Sequence, residues 1–284
     1  MDSNGIKKIW AQEITDTVRE LFLCACIAPD VQVMQAVEDA SQVEKTPHAR
    51  EVLRQLVQNS EIALNESIPA CQDTGMAVVM LEVGQDVHIA GGYVEEAVNE
   101  GVRQAYEQGY FRKSVLDPLS RQNTKDNTPA VIHMHIVPGN QLKITALPKG
   151  FGSENMSQLK MLKPSDGEQG VADFIVETTK QAGGSPCPPV ILGVGIGGTF
   201  ESCAMLAKKQ LLRQLGSTNP DAGLAKMEQE VLDRINAAGM GPMGMGGDTY
   251  CLGVHIAKQP THIAALPVAV NFCCHMLRHA SAVL

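Results

Sequence analysis

Three of the eight cysteines sit where a thiol gains little as core filling. Cys71 opens Cys71-Gln72-Asp73-Thr74-Gly75 after Pro69-Ala70, Cys187 lies in the rigid bracket Pro186-Cys187-Pro188-Pro189 behind two glycines, and Cys274 lies in Asn271-Phe272-Cys273-Cys274-His275. A thiol flanked by Pro, Gly and a carboxylate suits a ligand fixed in a loop or at a strand end. Cys24, Cys26 and Cys203 fall in apolar helical runs and read as small buried hydrophobes. No Cys-x-x-Cys occurs, which removes zinc ribbons and ferredoxin-like clusters. The chain is long and opens without a basic, then apolar, leader, so its thiols are expected to be reduced and its location cytoplasmic.

Glycine-rich loops are the second chemical signal. Gly193-x-Gly195-x-x-Gly198 follows an apolar strand and precedes a helix, as a dinucleotide-binding turn would. The stretch beyond it, Ser217 to Glu230, reads as loop then helix rather than as the strand ending in Asp or Glu which that fold requires. A nicotinamide-binding oxidoreductase is therefore the alternative from a different class. Two further loops, residues 149–155 and 239–249, share the glycine-rich character, and three such loops beside strand ends are expected to wall one polar site. His133 and His135 alternate along one strand face, but no third ligand accompanies them.

The elements that must position these residues follow from periodicity. Amphipathic helices are expected over residues 5–27, 31–43 and 47–66. The pattern then turns to strands mixed with helices. Residues 75–84 form a strand and 91–109 a helix. Two strands on either side of Pro138-Gly139-Asn140 read as a hairpin. Helices over 166–184, 199–216 and 221–237 follow, with strands at 188–195, 249–257 and 261–270. The expected class is mixed α/β: a helical N-terminal third, then mixed or antiparallel sheets flanked by helices. Residues 1–284 are expected to pack as a single domain or two intimate lobes.

Composition narrows the function. The 284 residues carry 23 basic and 31 acidic side chains, 23 − 31 = −8, which argues against a nucleic-acid binder. An apolar content of 44% is enough for a core and rules out a disordered chain. No run approaches 18 apolar residues, so no membrane span is expected.

The quoted motifs together resemble class I fumarate hydratase. They are Ile68 to Gly75, Gly152-Ser153-Glu154-Asn155, Pro186 to Pro189 with Gly195 to Thr199, Gly241-Pro242-Met243-Gly244, and Asn271 to His275. The resemblance covers about residues 10–284 and is to the α subunit, or N-terminal catalytic domain, of iron–sulfur hydro-lyases that also include L-tartrate dehydratase. It implies a 4Fe-4S cluster held by Cys71, Cys187 and Cys274; between the neighbours Cys273 and Cys274, only the resemblance favours the second. Three ligands for four irons would leave one iron open as a Lewis acid. The resemblance further implies that Gln72 and Asp73 contact substrate, with Asp73 in the proton chemistry, although an Asp at that position also serves as a turn cap. Arg112 is the cation offered to a substrate carboxylate, or a solvated helix end. Gly152 and Ser153 offer backbone N–H donors. His262, read at a strand start, is a further polar contact or a structural histidine.

The expected function is the α subunit of a fumarase interconverting (S)-malate and fumarate, with L-tartrate dehydration to oxaloacetate as the alternative. A non-catalytic iron–sulfur scaffold is disfavoured by Gln72-Asp73 beside the first thiol. A β subunit, in an α2β2 assembly, is implied to supply the remaining basic residues for a small dicarboxylate.

Overall fold

The structure is a computed structural model and describes residues 6–284. The described residues divide into two compact units, residues up to 29, 60–151 and 278–284 in the first, 30–59 and 152–277 in the second. The class is mixed α/β, with the first third helical and mixed sheets following.

The first unit opens with β1 (Lys7–Trp10), which runs into α1 (Ala11–Ile27). The expected helix thus starts at residue 11 rather than 5, and position 5 lies outside the described residues. Residues 7–10 are captured instead as a parallel partner of β3 (Val87–Ala90). A four-stranded sheet follows the order β10-β5-β2-β4, built from β2 (Met76–Gly84), β4 (Val131–Val137), β5 (Leu142–Lys149) and β10 (Ala280–Val283). Ile14, Val18 and Phe22 of α1 and Val98, Val102 and Tyr106 of α4 (Val94–Gln108) pack on Val79, Leu81 and Ile144 of that sheet. Each such aliphatic or aromatic side chain contributes roughly 1.5–3 kcal/mol by leaving water.

The expected hairpin does not form. β2 lies between its two strands, parallel to β4 and antiparallel to β5. The Pro138-Gly139-Asn140 connection instead crosses the end of β2. Gln85 N–H donates to Val137 O at 2.8 Å, Asp86 N–H to Gly139 O at 2.9 Å and Gly84 N–H to Gln141 O at 2.8 Å. A Cβ on Gly84 would come within 2.4 Å of the Gly139 carbonyl oxygen, so the crossover needs a glycine there.

In the second unit, α2 (Val31–Val43) and the first part of α3 (Pro47–Glu66) pair through Val37, Ala40 and Leu53. Residues 11–43 are long and apolar enough by composition to cross a membrane, although residues 28–30 interrupt the helix and Ile14, Val18 and Phe22 are core residues. The short α5 (Phe151–Glu154) leads to a sheet of order β6-β9-β7-β8. Its strands are β6 (Gln158–Leu162), β7 (Val190–Ile196), β8 (Cys251–Lys258) and β9 (Leu266–Cys273). α6 (Gly167–Ala182) and α8 (Ala222–Asn236) share one hydrophobic cluster with this sheet. α7 (Phe200–Gln210) packs through Cys203 and Ala207 against Ala269 in another. α7 ends at Gln210, six residues before Gly216, because residues 211–216 turn rather than continue the helix. β9 begins at Leu266, and residues 261–265 lie in the turn before it.

A buried polar group sits under α8. Arg213 pairs with Glu228 at 2.7 Å, and Glu228 also accepts from Asn219 and from the Ile256 N–H. His255, 2% exposed, faces the Gln210 carbonyl at 3.1 Å.

Candidate functional site

The first unit presents the loop 71–75. Asp73 N–H donates to Cys71 Sγ at 3.4 Å, and the thiol donates to Gln72 Oε1 at 3.7 Å. Asp73 caps the turn: its Oδ1 accepts from Gly75 N–H at 2.9 Å, and its Oδ2 accepts from Phe151 N–H at 2.8 Å. The main chain behind it is held as firmly. Tyr106 hydroxyl donates to Thr74 O, Asn127 Nδ2 to Gly75 O at 3.2 Å, and Arg278 Nη2 to Asp73 O. Gly75 has φ +80, and a Cβ there would meet Lys149 N at 2.7 Å. Cys71 and Asp73 are half-buried, and the Gln72 side chain between them is exposed.

Arg112 joins this loop through its backbone. Its carbonyl accepts from the Thr74 hydroxyl at 3.0 Å, while the residue itself is exposed. Two cations in this unit are buried, Lys149 at 1% exposure and Arg278 at 3%. Burial of either charge is costly unless it is well paired. Lys149 Nζ donates to Gly150 O at 3.4 Å. Sequence reasoning did not single out Arg278. An arginine four residues after Cys274, following the apolar pair Met276-Leu277, was the available signal.

The second unit holds Cys187 and Cys274. Cys187 is exposed and has φ +55. Its N–H donates to Gly184 O at 3.2 Å, and Pro188 O accepts from Met243 N–H at 2.9 Å. Residues 241–244 therefore brace the Cys187 loop. His275, which follows Cys274, places Nδ1 3.0 Å from the Cys187 carbonyl. Cys274 follows β9 and is half-buried; its thiol is pushed well above the usual range, first by its hydrogen bond with Cys273 and then by burial.

Gly152 and Ser153 belong to the same unit. A Cβ on Gly152 would lie 3.7 Å from Ser185 O, two residues from Cys187, and Ser153 is buried. Asn271 Nδ2 donates to Glu154 Oε2 at 2.8 Å. His262 does not start a strand. It lies exposed in the turn before β9, its Nδ1 accepting from Ala264 N–H at 3.2 Å.

The glycine pattern 193–198 has a packing explanation. Gly193 and Gly195 lie inside β7, where added Cβ atoms would meet Ala207 O at 2.2 Å and Cys203 O at 2.3 Å. They let α7 lie close on the strand. At the start of α7, Thr199 N–H donates to Ser202 Oγ at 2.8 Å.

The thiols separate by environment. Cys26, Cys203 and Cys251 are core thiols, and burial pushes Cys26 and Cys251 up to about 12 and Cys203 up to about 11. Cys24, expected to be buried, is exposed on the outer side of α1. Cys71, Cys187 and Cys274 lie off the helices and are not among the core thiols, a donor set of soft ligands that fits an iron–sulfur group. Among the described residues, no three His, Cys, Asp or Glu side chains form a ready-made metal group.

A family model described as "Fumarate hydratase (Fumerase)" matches residues 15–283. A Methanocaldococcus jannaschii protein named "Putative L(+)-tartrate dehydratase subunit alpha" is 41% identical over 274 residues, 94% of this chain and 96% of its own length. The "L(+)-tartrate dehydratase subunit alpha" of Escherichia coli strain UTI89 is 29% identical over 278 residues, 96% of this chain and 91% of its own. The protein of the same name from strain K12 is 28% identical over the same length. This chain belongs to the class I fumarate hydratase and tartrate dehydratase α-subunit family of hydro-lyases.

Proposed function

We propose that this chain is the α subunit of a 4Fe-4S-dependent hydro-lyase, completed by a β subunit in an α2β2 assembly, and that it dehydrates L(+)-tartrate to oxaloacetate. The observation that carries the substrate is the 41% identity, nearly end to end, to a protein with the tartrate dehydratase name. Hydration of fumarate to (S)-malate is the second reading, favoured by the description of the matching family.

In this reading Cys71, Cys187 and Cys274 are the thiolate ligands. When bound, a cluster with three protein ligands supplies a Lewis-acidic iron to the departing hydroxyl. The chain's own residues do the rest. Gln72, exposed beside Cys71, offers an amide that both donates and accepts. Each Asp73 carboxylate oxygen keeps a second acceptor position beyond its bond to Gly75 or Phe151, so Oδ1 or Oδ2 can take a proton from substrate. Arg112 clamps one carboxylate, and the main-chain N–H groups of Gly152 and Ser153 serve as donors, with His262 as a further polar contact. Removal of a proton from one carbon and of hydroxide from the next yields the enol of oxaloacetate, which tautomerises to the ketone.

The test is the α chain co-expressed anaerobically with its β-type partner and assayed on L(+)-tartrate, (S)-malate and fumarate. A higher kcat/KM on L(+)-tartrate supports the proposal; a higher value on malate and fumarate replaces it with the second reading.

A further inference from the structure

The residue after Cys274 reaches the backbone of Cys187. His275 is 8% exposed, and its Nδ1 stands 3.0 Å from the Cys187 carbonyl oxygen. A carbonyl only accepts, so Nδ1 carries the hydrogen and the tautomer is fixed. The loop that it holds is under strain. Cys187 has φ +55, a left-handed conformation that is strained for a non-glycine residue and persists only where the surroundings over-determine it. The next two residues are prolines and offer no N–H to brace the turn. The Cys187 N–H is spent on Gly184 O, and Pro188 O is held by Met243. The Cys187 carbonyl between them is held by the imidazole.

We propose that His275 is a positioning residue for the iron–sulfur group: its N–H···O bond fixes the backbone of Cys187 relative to that of the adjacent Cys274. This rests on the reading of Cys187 and Cys274 as ligands. A polar group that orients a metal ligand from behind typically changes metal retention about 10–100-fold when removed. His275 acts through the ligand backbone, so its loss should show first in retention.

The experiment compares wild type with His275→Leu, His275→Asn and His275→Gln in the α–β complex, reconstituted anaerobically with iron and sulfide. Iron and acid-labile sulfide per chain are measured, then the decay of the visible chromophore under a chelator, and the melting of the unreconstituted protein. His275→Leu should lose chromophore at least about tenfold faster than wild type. His275→Asn, whose Nδ2 stands near the lost Nδ1, should recover most of the retention; His275→Gln, one methylene longer, should not. Should the Leu variant fail to fold, the Asn and Gln pair carries the comparison. Equal retention in Asn and Gln variants, or an unchanged decay in a folded Leu variant, would overturn the role of His275 while leaving the cluster reading intact. A wild type that takes up neither iron nor sulfide would sink the cluster reading and this role together.

Discussion

The Tyr106 hydroxyl donates to the Thr74 carbonyl at 2.7 Å and lies 3.2 Å from the Gly75 carbonyl. Tyr106 is fully buried on α4, with the Phe111 ring edge-on at 5.5 Å and Phe22 at 6.1 Å. The core of the first unit thus ends in one polar atom that anchors the Cys71 loop. Tyr106→Phe keeps the ring packing but takes the donor from the Thr74 carbonyl, while the Gly75 carbonyl keeps Asn127 Nδ2, at a cost of about 1–3 kcal/mol. Urea denaturation checks this, and an unchanged midpoint would show that the loop does not depend on the hydroxyl.

The second unit should soften in mild acid. Burial first, then the Arg213 guanidinium, hold the His255 imidazolium below the usual 6.5, outweighing the Gln210 carbonyl and Glu228 carboxylate. Above pH 6.5 the imidazole is neutral in both folded and unfolded chains, and its contribution is complete. Below it, the unfolded chain takes up the proton first, so stability is lost as pH falls towards the depressed folded value. Glu228 adds a later loss. Burial opposes its charge, but Arg213, the Ile256 N–H and Asn219 keep it below the usual 4.5. Denaturation midpoints measured against pH should fall below about 6.5 in wild type and fall less in His255→Gln. Identical pH slopes in the two proteins would remove His255 from the account.

Arg112 is an exposed cation next to the Cys71 loop, tied there by its carbonyl. A dicarboxylate has two charged ends, and each needs a cation once water leaves. The reconstituted α chain alone should show a trace of activity at most, restored by the β subunit. In that complex, Arg112→Ala should cost on the order of 2–5 kcal/mol in transition-state binding, read from kcat/KM. Full turnover by the α chain alone would show that its own buried cations complete the site.

Periodicity revealed the helices because α1, α4, α6 and α8 each bury one stripe, and a stripe is a local pattern. Strand order was hidden. The Pro138-Gly139 signal marks a sharp reversal, but only the non-local contacts of Gly84 with Gly139 show that the reversal straddles β2. That Cys71 and Cys187 lie outside the core was legible because Pro, Gly and Asp neighbours are poor company for a core thiol. Cys24 was misread, since one helical turn carries both an inward and an outward cysteine. His275, Arg278 and Tyr106 were not legible as loop anchors, because each acts on a backbone carbonyl far away in sequence, which no local motif encodes.

The most direct test of the central claim is iron and acid-labile sulfide per chain in single Cys→Ser variants, since serine replaces a soft thiolate with a hard alcohol. Cys71→Ser, Cys187→Ser and Cys274→Ser should each lose the brown chromophore and its iron, while Cys24→Ser and Cys203→Ser should keep both. A colourless Cys203→Ser protein beside a brown Cys187→Ser protein would contradict the assignment.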